Sequence, residues 1–146
     1  MHSILIPIDG SDNSMRAVEA ACQQIGSRRP VAVHLLNVQP PNHSALVQKY
    51  LSQDLIDQFH AQEGEAALHT ARSRLDEAGI ACTTHVEVGD VAQTIARYVR
   101  DLHCDQVVMG TRGLGGSGVA ALSGLLLGSI ATKVLHLVDV PVTFAK

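Results

Sequence analysis

Aromatic side chains are scarce in this chain, which has two tyrosines, two phenylalanines and no tryptophan among 146 residues. Proteins that bind single-stranded nucleic acid stack bases on aromatic platforms and usually carry more of these side chains. Positive charge is also limited, because 11 lysines and arginines are set against 14 acidic residues, for a formal net charge of −3. Both shortages argue against a nucleic-acid-binding protein.

Cysteine is represented only by Cys22, Cys82 and Cys104, which lie far apart in the sequence. Their spacing matches neither a zinc site nor a redox pair. The eight histidines contain no His-x-x-x-His pair, so the sequence assigns no metal ligand. Unpaired cysteines and an N-terminus without the pattern of a signal peptide predict a cytoplasmic protein.

One uncharged run, residues 114–132, is about long enough to cross a bilayer. Five glycines and three serines interrupt this run, and such segments form poor helices. No basic cluster flanks it to set an orientation in a membrane. The run is therefore predicted to be a loop, and we expect no membrane association.

Strand-like and helix-like segments alternate along the chain. Apolar runs at 3–8, 31–38, 80–88, 105–109 and 140–145 predict five strands, of which the third is more polar and so nearer an edge. Segments 13–25, 44–78, 91–102 and 130–137 predict helices. Strands separated by helices predict a single-domain α/β fold, in which a parallel sheet carries helices on both faces.

Ligands of such sheets bind beyond the carboxyl ends of the strands. The features predicted at this edge are Asp9 after the first strand, Val38 at the end of the second, Gly89 and Asp90 after the third, and a glycine-rich stretch from Gly110 to Gly128 after the fourth. Glycines let backbone amides approach an anion, and the following helix adds unpaired donors. The convergence favours a phosphate site over a flexible loop of small residues.

Several motifs of the chain resemble those of the universal stress protein family, in the same order and over nearly the whole length. They are Ile6-Pro7-Ile8-Asp9-Gly10-Ser11, His34-Leu35-Leu36-Asn37-Val38, Val88-Gly89-Asp90, Met109-Gly110-Thr111-Arg112-Gly113, Leu125-Leu126-Leu127-Gly128-Ser129 and Val140-Pro141-Val142. The resemblance implies one domain over residues 1–146. It also implies a Rossmann-like sheet of five parallel strands in the order 3-2-1-4-5, as in adenine-nucleotide α-hydrolases.

The resemblance further implies ATP binding in the subgroup that carries Gly-x-x-Gly, nine residues, and then Gly-Ser or Gly-Thr. In this chain fourteen residues separate Gly113 from Gly128, whereas nine separate Gly118 from Gly128. Either Gly110 and Gly113 form the phosphate loop and the loop bulges, or Gly115 and Gly118 replace them. The first alternative is favoured, because loops absorb insertions while the core fixes strand ends and helix starts.

The expected ligand is ATP, alone or with Mg²⁺. Asp9 is expected to hold a ribose hydroxyl or a magnesium-bound phosphate, Val38 to contact adenine, and Arg112 to pair with phosphate. The full set of predicted binding residues is Pro7, Ile8, Asp9, Val38, Met109, Gly110, Arg112, Gly113, Gly128, Ser129 and Ile130. No catalytic residue is assigned, because no nucleophile elbow, Walker loop or Rossmann fingerprint is present.

The sequence thus predicts a cytoplasmic stress-response protein that binds an adenine nucleotide and forms a homodimer through the edge strand Val140–Ala145. Two alternatives stay open. One is a slow ATPase or phosphotransferase, and the other is a member of the family that binds no nucleotide and acts through protein partners.

Overall fold

The computed structural model describes residues 1–26, 31–41, 49–111 and 127–146. Five strands form one parallel sheet in the order β3-β2-β1-β4-β5. The strands are β1 (His2–Pro7), β2 (Val31–Gln39), β3 (Cys82–Val88), β4 (Gln106–Gly110) and β5 (Val142–Ala145). The predicted fold class and strand order are confirmed, and the polar third strand lies at an edge.

Four helices separate these strands in the part of the chain that the structure describes: α1 (Asp12–Ile25), α2 (Gln53–Glu77), α3 (Val91–Asp101) and α4 (Ser129–Leu137). The helix predicted over 44–78 is present as α2 from Gln53, whereas residues 44–48 of the predicted segment lie outside the described residues. Ser52 accepts a hydrogen bond from the Leu55 amide and so caps the helix at that point.

Strand β5 begins at Val142, two residues later than predicted. Pro141 has no amide to donate to the ladder, although its carbonyl accepts a bond of 3.0 Å from the Val107 amide. The proline therefore lies where the ladder starts.

Helices bury both faces of the sheet. Successive side chains of β1 point to opposite faces, and so they enter two separate cores. Ile4, Ile6 and Ile8 pack in one core with residues of α1 and α2. Leu5 packs in the second core with residues of α3 and α4. Burial on both faces explains why the central strands are almost continuously apolar.

No helix in the described part of the chain is long and apolar enough to span a bilayer. Most of the uncharged run 114–132 lies outside the described residues. The prediction of a loop there stays a prediction.

Candidate functional site

A cavity of about 380 Å³ opens at the carboxyl ends of β1, β2 and β4. The chain leaves β1 for β2 on one side of the sheet and reaches β4 on the other, so the cavity lies at the switch point of strand order. The N-terminal ends of α1, α3 and α4 contribute to its walls through Ser14, Val91 and Ser129.

Nine of the eleven predicted binding residues line this cavity: Pro7, Ile8, Asp9, Val38, Met109, Gly110, Gly128, Ser129 and Ile130. The other two, Arg112 and Gly113, lie outside the described residues, as do Gly115 and Gly118. The structure thus brings together residues from three strand ends and one helix start. Their role in binding stays a prediction.

The turn after β3 does not line the cavity. Asp90 instead caps α3, and its carboxylate accepts a bond of 2.9 Å from the Gln93 amide. This capping role is sufficient to explain why an aspartate occupies position 90.

Asp9 lies in the turn between β1 and α1. One of its carboxylate oxygens accepts hydrogen bonds from the Ser11 amide, at 2.9 Å, and from the Ser11 hydroxyl. Ser11 also caps α1, because its hydroxyl oxygen accepts from the Ser14 amide. The turn chemistry therefore holds the Asp9 side chain at the cavity wall. Among the described residues that line the cavity, Asp9 has the single charged side chain.

Asn37 and Gln39 also line the cavity, and sequence reasoning did not select them. The Asn37 side chain is only 2% exposed. Its amide donates to the Ile8 carbonyl at 2.8 Å, and its carbonyl oxygen accepts from the Gln39 amide at 2.7 Å. Asn37 thus ties the end of β1 to the end of β2 beside Asp9. The sequence did carry a signal for Asn37, which is an amide side chain within an otherwise apolar strand. A buried amide needs hydrogen-bond partners, and so such a residue is a candidate for a structural or binding role.

The start of α4 presents backbone donors to the cavity. Ser129, Ile130 and Ala131 form its first turn and all line the cavity. The N-cap residue Gly128 has no side chain to accept from these amides. Amides at a helix start carry a partial positive charge and attract anions. This end of the cavity is therefore suited to a negatively charged group.

Gly110 and Gly128 line the cavity, and neither has the positive φ that would by itself call for glycine. Gly128 has a φ of −62°, which any residue can adopt. At Gly110 a Cβ would lie 2.6 Å from the Asn13 carbonyl oxygen. Close packing of β4 against the first turn of α1 therefore accounts for the glycine at position 110.

Comparison with known proteins identifies one family. The family model described as "Universal stress protein family" matches residues 1–146. A universal stress protein of Methanocaldococcus jannaschii is 30% identical over 143 residues, which cover 98% of this chain and 81% of that protein. The universal stress protein UspA of Lactobacillus plantarum has the same fold, with a TM-score of 0.79 at 20% identity over 99% of this chain and 97% of that one.

Two further solved structures of this fold contain nucleotides. One is a universal stress protein in complex with cAMP, with a TM-score of 0.72 at 20% identity, covering 99% of this chain and 97% of that one. The other is a family protein from Arabidopsis thaliana with AMP bound, with a TM-score of 0.69 at 19% identity, covering 100% of this chain and 92% of that one.

Proposed function

The chain belongs to the universal stress protein family, and we propose that it binds an adenine nucleotide, with ATP as the preferred ligand, in the cavity at the carboxyl edge of its sheet. The observation that carries the proposal is the uncapped start of α4 inside that cavity. An anionic group is the natural partner for those amides. The cAMP and AMP bound by two structural neighbours support an adenine nucleotide as the ligand class.

The apolar part of the cavity suits a base. Val38, Val91, Ile95 and Met109 supply aliphatic or thioether surface, which matches the face of a flat ring. Val38 and Gln39 are the last two residues of β2 and both line the cavity. Their backbone groups and the Gln39 side-chain amide can therefore bind the polar edge of adenine. In this proposal the base lies against β2 and α3, and the phosphates extend to α4.

The carboxylate of Asp9 fits a bound cation. Phosphate and carboxylate repel each other at close range, and Mg²⁺ relieves this repulsion by binding oxygens of both. In this proposal Asp9 would hold the Mg²⁺ that accompanies ATP, and the ion would neutralise phosphate charge. Alternatively, Asp9 accepts a hydrogen bond from a ribose hydroxyl, which requires no metal. The dependence of ATP affinity on Mg²⁺ distinguishes these two roles.

A substitution at Ser129 tests the phosphate position without harming the helix. Ser129 is exposed and occupies the first position of α4. A glutamate there stabilises the helix start, because it complements the partial positive charge, but it repels a phosphate group. We expect Ser129→Glu to weaken ATP binding by about tenfold or more, equivalent to about 1.4 kcal/mol, in calorimetric titrations. The melting temperature without ligand should stay the same or rise.

Two controls make the result specific. Lys133→Glu makes the charge more negative by two units, one turn further along α4 and outside the cavity lining, and should still change ATP affinity much less. Ser129→Ala removes the hydroxyl without adding charge and should retain most of the affinity. If the wild-type protein gives no heat with ATP at millimolar concentration, the result favours the alternative in which this protein binds no nucleotide. Undiminished binding by Ser129→Glu would move the phosphates away from α4.

A further inference from the structure

Two histidines face each other across neighbouring strands, outside the cavity lining. His34 lies on β2 and His85 on β3, and their Nδ1 and Nε2 atoms are 3.1 Å apart. In the strand register His85 pairs with Leu36, so His34 is its diagonal neighbour on the same face of the sheet. Their ring centroids are 5.3 Å apart, and both side chains are partly exposed. Solvent and small ions can therefore reach the pair.

Neighbouring side chains hold the pair in place. The Tyr98 and His85 rings pack edge to face, with 5.2 Å between their centroids. The Tyr98 hydroxyl donates to the Glu87 carboxylate at 2.7 Å, and Glu87 lies two residues beyond His85 on β3. A buttressed ring loses less conformational freedom when it binds a ligand.

The partial burial of the two rings bears on their charge. Burial lowers the pKa of His34, and burial together with the nearby His34 lowers the pKa of His85. Both shifts favour the neutral imidazole, in which each ring has one nitrogen lone pair available to a metal ion.

We propose that His34 and His85 chelate a divalent transition-metal ion, with Zn²⁺ as the representative. Zinc binds imidazole nitrogen at about 2.0–2.1 Å. Two nitrogens at the observed separation of 3.1 Å then subtend an angle of about 95–100° at the metal, between the octahedral and tetrahedral values. The hydrogen bond between the rings is replaced by two metal bonds once both rings turn so that their lone pairs point at the shared ion.

The proton balance of this step is neutral. Of the two facing nitrogens, one carries a hydrogen in the free pair and donates it to the other. Exchange with water moves that hydrogen to the opposite nitrogen of the same ring, so each ring keeps one N–H and no net proton is released. Two imidazole ligands do not suit Mg²⁺, because Mg²⁺ prefers oxygen ligands.

The remaining coordination positions belong to water. In the part of the chain that the structure describes, no group of three or more His, Cys, Asp or Glu side chains is placed to hold a metal. A site with two protein ligands and water is open and exchangeable, unlike a closed structural zinc site. It therefore suits a metal-responsive role rather than a requirement for folding.

Titration of the nucleotide-free protein with Zn²⁺ tests the proposal and is independent of the proposed function. We expect one Zn²⁺ per chain near neutral pH, and His34→Gln and His85→Gln should each weaken this binding by about tenfold or more. His69→Gln, at an exposed position of α2 away from the pair, should retain the wild-type affinity. A His2→Gln background removes an exposed histidine, outside the pair, that can bind Zn²⁺ weakly by itself.

Two further measurements separate ligation from structural support. Zn²⁺ should shift the imidazole nitrogen resonances of His34 and His85 in the wild-type protein. His85→Cys, which exchanges one zinc ligand for another, should bind Zn²⁺ more tightly than His85→Gln. The proposal is overturned if the wild type does not bind Zn²⁺ at millimolar concentration, if neither glutamine variant binds it less, or if those resonances stay unchanged.

Discussion

At the scale of single residues, Gly64 determines how closely α2 approaches the sheet. A Cβ at Gly64 would lie 2.5 and 2.8 Å from the two methyl carbons of Val86, and 3.2 Å from the Asn37 side-chain oxygen. Such contacts require the neighbours to shift. Because Asn37 anchors the end of β1 beside the cavity, the packing of this one glycine bears on the geometry of the site.

We therefore expect Gly64→Ala to lower the free energy of unfolding by about 1–3 kcal/mol in denaturant titrations, despite the better helix propensity of alanine. Val86→Ala removes the methyl groups that would clash. In the Gly64→Ala background this second substitution should cost less stability than it does in the wild type, and a double-mutant cycle measures the difference. Purely additive costs would show that another contact limits position 64.

Sequence reasoning could not have found this contact. A glycine within the polar segment 44–78 indicates a weak helix position, whereas its partner Val86 lies on another element and 22 residues away. The same holds for Asn37, whose partner Ile8 directly follows β1. Residues at strand ends were easier, because parallel topology alone directs Asp9, Val38 and Gly110 to one edge.

At the scale of elements, α1 and α2 are linked by one ion pair. The Arg74 guanidinium donates twice to the Glu19 carboxylate, and both N–O distances are 2.9 Å. The hydrogen bonds and charge of Arg74 lower the pKa of Glu19 from its usual value of 4.5. Helical periodicity predicted both helices, but it does not predict this pairing between exposed faces.

The linkage has a definite pH dependence. A carboxyl group with a lowered pKa in the folded state contributes stability that is present above its unfolded pKa and is lost as pH falls through its folded pKa. Glu19→Gln should therefore lower the melting temperature near neutral pH, and its difference from the wild type should shrink as pH falls below 4.5. The measurement is thermal unfolding across this range.

High salt should also reduce that difference, because both side chains are exposed to solvent and their attraction is screened. Glu65→Gln is the matched control, since it breaks the pair that Glu65 forms with Arg72 within the single helix α2. An equal effect of both variants would mean that linking α1 to α2 adds nothing beyond a local helix contact.

At the scale of the whole molecule, the alternation of strands and helices was sufficient for the fold class, and the family motifs were sufficient for the strand order. The reason is that burial on both faces of a parallel sheet leaves a strong apolar pattern in each central strand. The cavity itself was located by topology, but its composition depended on packing between α3, α4 and β2. The residues that distinguish the two phosphate-loop alternatives, Gly113, Gly115 and Gly118, lie outside the described part of the chain.

The same topology leaves β5 at one edge of the sheet, where the described structure pairs it with β4 alone. The Val107 amide donates to the Pro141 carbonyl, and the register pairs Val107 with Val142. Backbone groups alternate in direction along a strand, so those of Val142 and Phe144 point away from β4. Unpaired edge strands of this kind readily pair with another chain.

We predict that a second copy of the chain pairs with this edge about a two-fold axis, the commonest symmetry of homo-oligomers. Val142→Pro removes one outward-facing amide but no donor to β4, so it should give monomers in sedimentation experiments with little loss of thermal stability. Thr143→Pro is the matched control, because it removes an amide that faces β4 and should destabilise the fold itself. A wild-type monomer at high micromolar concentration contradicts the dimer, and a dimeric Val142→Pro variant places the interface on another surface.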